Sequence, residues 1–185
     1  PDPGLPQPEW LPSRPPGTGA ALDFSTGILT LNFTETVDCS PVAGNVNVSK
    51  IALVDHFGST NEFTMPLFAS TVLHSEDTAR VDMQLSEHQR TEALRQSGVD
   101  GGDSFSLYAQ VGLGAFVDVA GNPSVEHSTL ALVEVADLME PRFVSGVLDF
   151  NSGSGLLTLR ASEYLHLELG SSADDRILGA VNLSS

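Results

Sequence analysis

Three kinds of residue in this chain could do chemistry: acids in Gly-rich loops, asparagines in glycan-acceptor sequons, and one thiol. The acids are Asp100 with Asp103, Asp118 with Asn122, and the adjacent Asp174 and Asp175. Calcium takes six to eight oxygens from carboxylates, amides and carbonyls, so Asp100, Asp103, Asp118 and Asn122 are its candidate ligands and calcium the candidate cofactor. None of the spacings makes an EF-hand loop, and turn formation is the simpler use of the same residues. The sequons are Asn32-Phe33-Thr34, Asn47-Val48-Ser49 and Asn182-Leu183-Ser184, so Asn32, Asn47 and Asn182 are candidate N-glycan sites in a secreted chain. Cys39 stands alone. It has no internal disulfide partner, so it is either a bridge to another molecule or a buried, idle thiol.

Enzyme chemistry is poorly served. The histidines (His56, His74, His88, His127 and His166) show no metal-ligand spacing, and one cysteine cannot build a structural zinc site. There is no Gly-x-Ser-x-Gly elbow, P-loop or dinucleotide fingerprint. Paired carboxylates for glycoside hydrolysis need not be close in sequence, but nothing points to a pair here. The reading is a non-enzyme with no catalytic residues.

Charge narrows the partners. The chain has 185 residues, with 24 acids against 8 bases and a formal charge of −16. Such a surface repels phosphate backbones, which argues against nucleic acid. It suits solubility outside the cell or calcium loading. No apolar run approaches the ~20 residues of a membrane span, and no signal peptide is visible. A chain that starts at Pro1 without methionine is expected to be a processed product or a segment of something longer.

The elements that must position these residues are mostly strands. Residues 1–20 hold seven prolines and few apolar groups, which predicts an extended linker or arm, with Trp10 and Leu11 as anchors on a neighbour. From Leu22 a hairpin turns at Ser25-Thr26-Gly27. Leu29, Leu31 and Phe33 then alternate with Thr30, Asn32 and Thr34, the mark of a strand with one buried face. Further strands are predicted at Val48–Val54, at Phe63–Phe68 (an edge, because of Pro66), at Ser70–His74, at Ala79–Leu85, at Phe105–Val111 and at Thr129–Val135. Ser86 and Gln89 form a capping-box pattern for one short helix from about Glu87 to Gln96. Phe116 to Pro123 ends in the strong turn signal Ala120-Gly121-Asn122-Pro123. Seven or eight short strands over residues 21–138 predict an all-β, antiparallel sandwich of immunoglobulin size.

The opening pattern then returns. LDFSTGILTL, from Leu22, reappears as LDFNSGSGLLTL from Leu148, and Arg176–Leu183 stands where the strand after Lys50 stood. A recurring domain start predicts tandem modules, with residues 139–185 beginning a second, incomplete copy. Half a sandwich exposes its core, so either the parent chain continues or strands of another molecule complete it.

The run L-x-F-x-x-G-x-L-T-L-x-F-x-E-x-V at Leu22–Val37, VDMQLSEHQRTEAL at Val81–Leu94 and FVDVAGNP at Phe116–Pro123 together resemble a known family. They are similar to the repeated immunoglobulin-like domains of algal and protist surface proteins of the tubular-mastigoneme type, the hair-like filaments of flagella. The FVDVAGNP turn is also similar to bacterial S-layer and adhesin immunoglobulin-like domains. The resemblance implies an extracellular, glycosylated, multi-domain structural protein at the cell or flagellar surface. It also implies hydroxylated, O-glycosylated prolines in the arm, and it supplies no catalytic residues.

Three functions follow as expectations. The first is a structural module that self-assembles, with copies of itself or related proteins, into a filament or coat. In that case deleting residues 1–20 weakens assembly and spares the fold. The second is a calcium-dependent adhesion or carbohydrate-binding module of a larger surface protein. The third is an accessory domain of an enzyme.

Overall fold

A computed structural model describes residues 19–41, 45–55, 63–150 and 155–163. The expected Pro-rich arm with Trp10 and Leu11, together with His56, His166, Asp174, Asp175, Asn182 and the strand at 176–183, lie outside the described residues. Contacts divide the chain into two units, Pro1–Leu138 and Met139–Ser185.

In the first unit the expected hairpin joins β1 (Ala20–Asp23) to β2 (Ile28–Val37), with Leu22 opposite Leu29 and Asp23 opposite Ile28. Asp23 fixes the turn: its Oδ1 accepts the Ser25 N–H at 2.8 Å, and its carbonyl accepts the Gly27 N–H at 2.7 Å. Gly27 adopts φ +69°, a conformation that side-chain-bearing residues resist. Leu29, Leu31 and Phe33 are buried, as the alternation predicts.

The other strands are β3 (Ile51–Val54), β4 (Thr64–Pro66), β5 (Thr71–Val72), β6 (Thr78–Gln84), β7 (Tyr108–Val111) and β8 (His127–Val135). The order across the sheet is β4-β3-β7-β8-β1-β2-β6-β5. Pro66 of β4 falls on an edge, as expected. The predicted strand at Val48–Val54 starts late, because Val48–Lys50 forms a 3-10 turn capped by Asn47. The predicted strand at Phe105 begins only at Tyr108, and Phe105 is exposed. The expected helix, α1 (Glu87–Arg95), starts at Ser86 with both bonds of the capping box formed.

Two features correct the expectation of an antiparallel sandwich. First, β1 runs parallel to β8, with Leu22 opposite Glu134, so the sheet is mixed. A period-two pattern reports which face a residue takes but not strand direction. Second, the sheet must curl. Laid flat, β4 and β5 would sit seven strand spacings apart, about 33 Å. They are neighbours in sequence, and the step from Pro66 to Thr71 can span only about 18 Å of extended chain. The curled sheet therefore encloses one core. Leu22, Leu29 and Leu31 from one half share it with Ile51, Leu53 and Leu107 from the other, and all six are essentially inaccessible to water. The rings of Phe33 and Phe116 meet edge to face, 4.9 Å between centroids.

The second unit contributes β9 (Phe143–Asp149) and β10 (Leu156–Ala161), an antiparallel pair. Its register repeats that of the first hairpin: Leu148 faces Leu157 as Leu22 faces Leu29, and Asp149 faces Leu156 as Asp23 faces Ile28. The connecting loop is two residues longer. Burial does not repeat. Leu22, Phe24 and Leu29 are fully buried, whereas Leu148, Phe150 and Leu157 are 50%, 76% and 47% exposed.

Candidate functional site

Among the described residues a dense polar constellation lies at one end of the first unit, where α1 meets the hairpin and the end of β8. Arg90 is its centre. Its side chain is only 10% exposed, and its Nε and Nη2 donate to the two oxygens of Glu87 at 2.9 and 2.8 Å. Its Nη1 donates to the Phe24 carbonyl and to Asp137 Oδ2, both at 2.7 Å. Ser25 adds a second tie: its hydroxyl donates to the Ala136 carbonyl at 3.3 Å and accepts the Leu138 N–H at 2.9 Å. A buried guanidinium needs such partners, because an unpaired charge out of water is costly. The result is a clamp that fixes residues 136–138 to hairpin and helix. Every group is consumed in holding position. The sequence carries no local sign of it, since Arg90 reaches partners 66 and 47 positions away.

Asp118 and Asn122 do come together, on each other rather than around an open site. Asp118 Oδ1 accepts the backbone N–H groups of Ala120 and Asn122 at 2.9 and 2.7 Å, and its Oδ2 accepts the Asn122 amide at 2.9 Å. Burial alone would raise the Asp118 carboxyl, but the bonds from Asn122, Ala120 and Gly121 outweigh it and hold the carboxyl below its ordinary value. The arrangement closes the FVDVAGNP turn and leaves no carboxylate oxygen unshared. Asp100 and Asp103 are exposed, with Asp103 Oδ1 accepting the Phe105 N–H at 3.0 Å. Among the described residues no group of three or more His, Cys, Asp and Glu could hold a metal ion.

Cys39 is fully buried, and burial pushes its thiol up, with the charges of Asp77 and Asp38 adding to the effect. A bridge to another molecule needs an accessible thiolate, so the geometry is that of the idle thiol. His74 bonds Asp82 at 3.2 Å, and His127 Nδ1 accepts the Thr129 N–H at 3.4 Å.

Glu134 was not singled out by its sequence. It accepts the Leu107 N–H at 2.6 Å and the Gly98 N–H at 2.7 Å, pinning the loop after α1. Burial raises its carboxyl, those two N–H groups lower it, and the charges of Asp55 and Asp103 raise it again, for a net upward shift. Its nearest protein groups are two backbone amides, so it too serves the fold.

The sequons differ. Asn32 is half-buried, and its Nδ2 donates to the Gly19 carbonyl at 3.2 Å. Asn47 is exposed, and its Oδ1 is held by the N–H and hydroxyl of Ser49 at 3.2 and 2.6 Å.

One open groove of about 430 Å³ lies between the strand β4 side and α1, with Phe63, Met65 and Phe68 opposite His88, Gln89 and Glu92. Phe68 is 71% exposed. The Gln89 amide is spent on the Pro66 carbonyl and on the hydroxyls of Ser86 and Ser70. That leaves an aromatic face with a histidine and a carboxylate on its rim.

Among the described residues no helix is long and apolar enough to cross a membrane. Comparison with protein-family models, with curated proteins and with solved structures returns no match.

Proposed function

We propose that the chain is a structural module of an extracellular glycoprotein filament or cell-surface coat, built from immunoglobulin-like β-sandwich units in tandem. The observation that carries this reading is the repeated hairpin register: Leu22 opposite Leu29, and Leu148 opposite Leu157. A domain start that recurs in both sequence and pairing is how tandem arrays are written. The Arg90 clamp supports it, because a module in a load-bearing array needs a fixed exit for its chain, and residues 136–138 are tied to the domain body. The polar residues support it too: Asp118, Glu134 and Arg90 spend their bonding capacity on turns, loops and the clamp. Units repeated head to tail build open polymers.

Gold-labelled antibody raised against the first unit tests the proposal on native cells. Label on filaments or on a surface coat agrees with it. Label confined to the cell interior refutes it.

A second reading, a carbohydrate-binding module, is favoured by the Phe63–Phe68 groove, whose exposed aromatic face and Glu92 rim suit a sugar ring. Calorimetric titration with cell-wall oligosaccharides separates the two: binding that disappears in Phe68→Ala supports the second.

A further inference from the structure

We propose that Asn47 is an N-linked glycan acceptor. The proposal rests on the extracellular reading above and deepens it by naming the modified atom. Three observations meet at this residue. Asn47-Val48-Ser49 is a sequon, and Asn47 is exposed. The side-chain amide is also oriented: Ser49 holds Oδ1 through its N–H at 3.2 Å and its hydroxyl at 2.6 Å, while the Asn47 N–H donates to the Ala115 carbonyl at 2.7 Å and the Asn47 carbonyl accepts the Lys50 N–H at 3.1 Å. With Oδ1 and both backbone groups engaged, the remaining polar atom is Nδ2. Among the described residues Nδ2 has no hydrogen-bond partner. A glycan there removes nothing from the fold.

Asn32 makes the internal comparison. It lies within the sheet opposite Arg80, is half-buried, and its Nδ2 already donates to Gly19. A sugar on that nitrogen would crowd the start of β1. The two sequons are equivalent as sequence and differ in the folded protein.

The transfer balances with one co-reactant, a lipid-pyrophosphate-linked oligosaccharide of the secretory lumen. The Asn47 Nδ2 forms a bond to the anomeric carbon, and the bond from that carbon to the pyrophosphate oxygen breaks. The lipid pyrophosphate leaves with the electron pair, and one amide proton passes to a base.

The test is expression of the whole chain behind an added, cleavable signal peptide in a mammalian secretory host. The secreted protein is then mapped by peptide mass before and after an amide-cleaving glycanase. The expected result is a glycan on the peptide containing Asn47, with conversion of Asn47 to Asp on cleavage. Ser49→Thr keeps the glycan, and Ser49→Ala and Asn47→Gln lose it. Secreted wild-type protein bare at Asn47, including protein glycosylated only at Asn32, overturns the proposal. Because the added peptide delivers the chain to the lumen whatever its native address, a bare Asn47 speaks against the site. A failure of surface labelling on native cells speaks against the extracellular reading instead.

Discussion

Replacing Arg90 with Met tests whether the end of the first unit is held by the clamp or merely decorated by it. The Met side chain fills similar space and removes every charge-assisted bond. At least four are lost: two to Glu87, one to the Phe24 carbonyl and one to Asp137. Each hydrogen bond to a charged group is worth about 1.5–3 kcal/mol, but four bonds from one group do not add. Removing one partner of a buried ion pair costs about 3–5 kcal/mol. Glu87 and Asp137 keep side-chain exposures of 24% and 13%, so water can reach the stranded carboxylates, which places the cost near the lower end, about 3 kcal/mol. For a unit of this size that is a fall in melting temperature of about 10 °C. Circular dichroism melts give the shift, and hydrogen exchange at the Leu138 amide reports release of the chain exit. Arg90→Lys keeps the charge but not the planar fork, and should recover only part of the loss. A loss under about 1 kcal/mol for Arg90→Met, or full recovery in Arg90→Lys, would refute the clamp.

Three further outcomes follow from local geometry. The folded Asp118 carboxyl is held below its ordinary value, so it contributes stability above the unfolded pKa of about 3.9 and loses it as pH falls through the folded value. Asp118→Asn should therefore flatten the acid limb of urea midpoint against pH and cost about 2 kcal/mol near neutrality; an unchanged acid limb contradicts the assignment. Gly27→Ala combines φ +69° with a Cβ 2.9 Å from Gln84 Nε2, and should cost about 2 kcal/mol, read by the same melts. Gly121→Ala has φ +86° but nothing within 4 Å, and should cost only about 1 kcal/mol.

What the sequence revealed was local. Alternation placed Leu29, Leu31, Val81 and Met83 inward, and the Ser86–Gln89 capping box announced α1, because both patterns lie within a few residues of the groups they bond. The hairpin turn and its copy were legible for the same reason. What stayed hidden was long-range. The parallel pairing of β1 with β8 joins residues more than 100 positions apart, and strand direction leaves no trace in a period-two pattern. Arg90 reads as one more surface base on a polar helix, yet it is buried, with Glu87 of its own helix and two distant segments as partners. Asp118 and Asn122 read as turn formers first and calcium ligands second, and the bonds they make to each other are not visible in their spacing. Alternation likewise put Asn32 on the outward face of its strand, where a glycan would leave the core undisturbed, and gave no sign that its Nδ2 is spent on the Gly19 carbonyl.

The central claim, that these units are stacked in tandem, is tested most directly by electron cryomicroscopy of the labelled native material. The longest described strand, β2, has ten residues, so a unit stacked along its strands extends about 34 Å, or about 35–45 Å with its junction. The account predicts filaments or a coat with axial density repeating at about that spacing. Isolated particles with no axial repeat would contradict it.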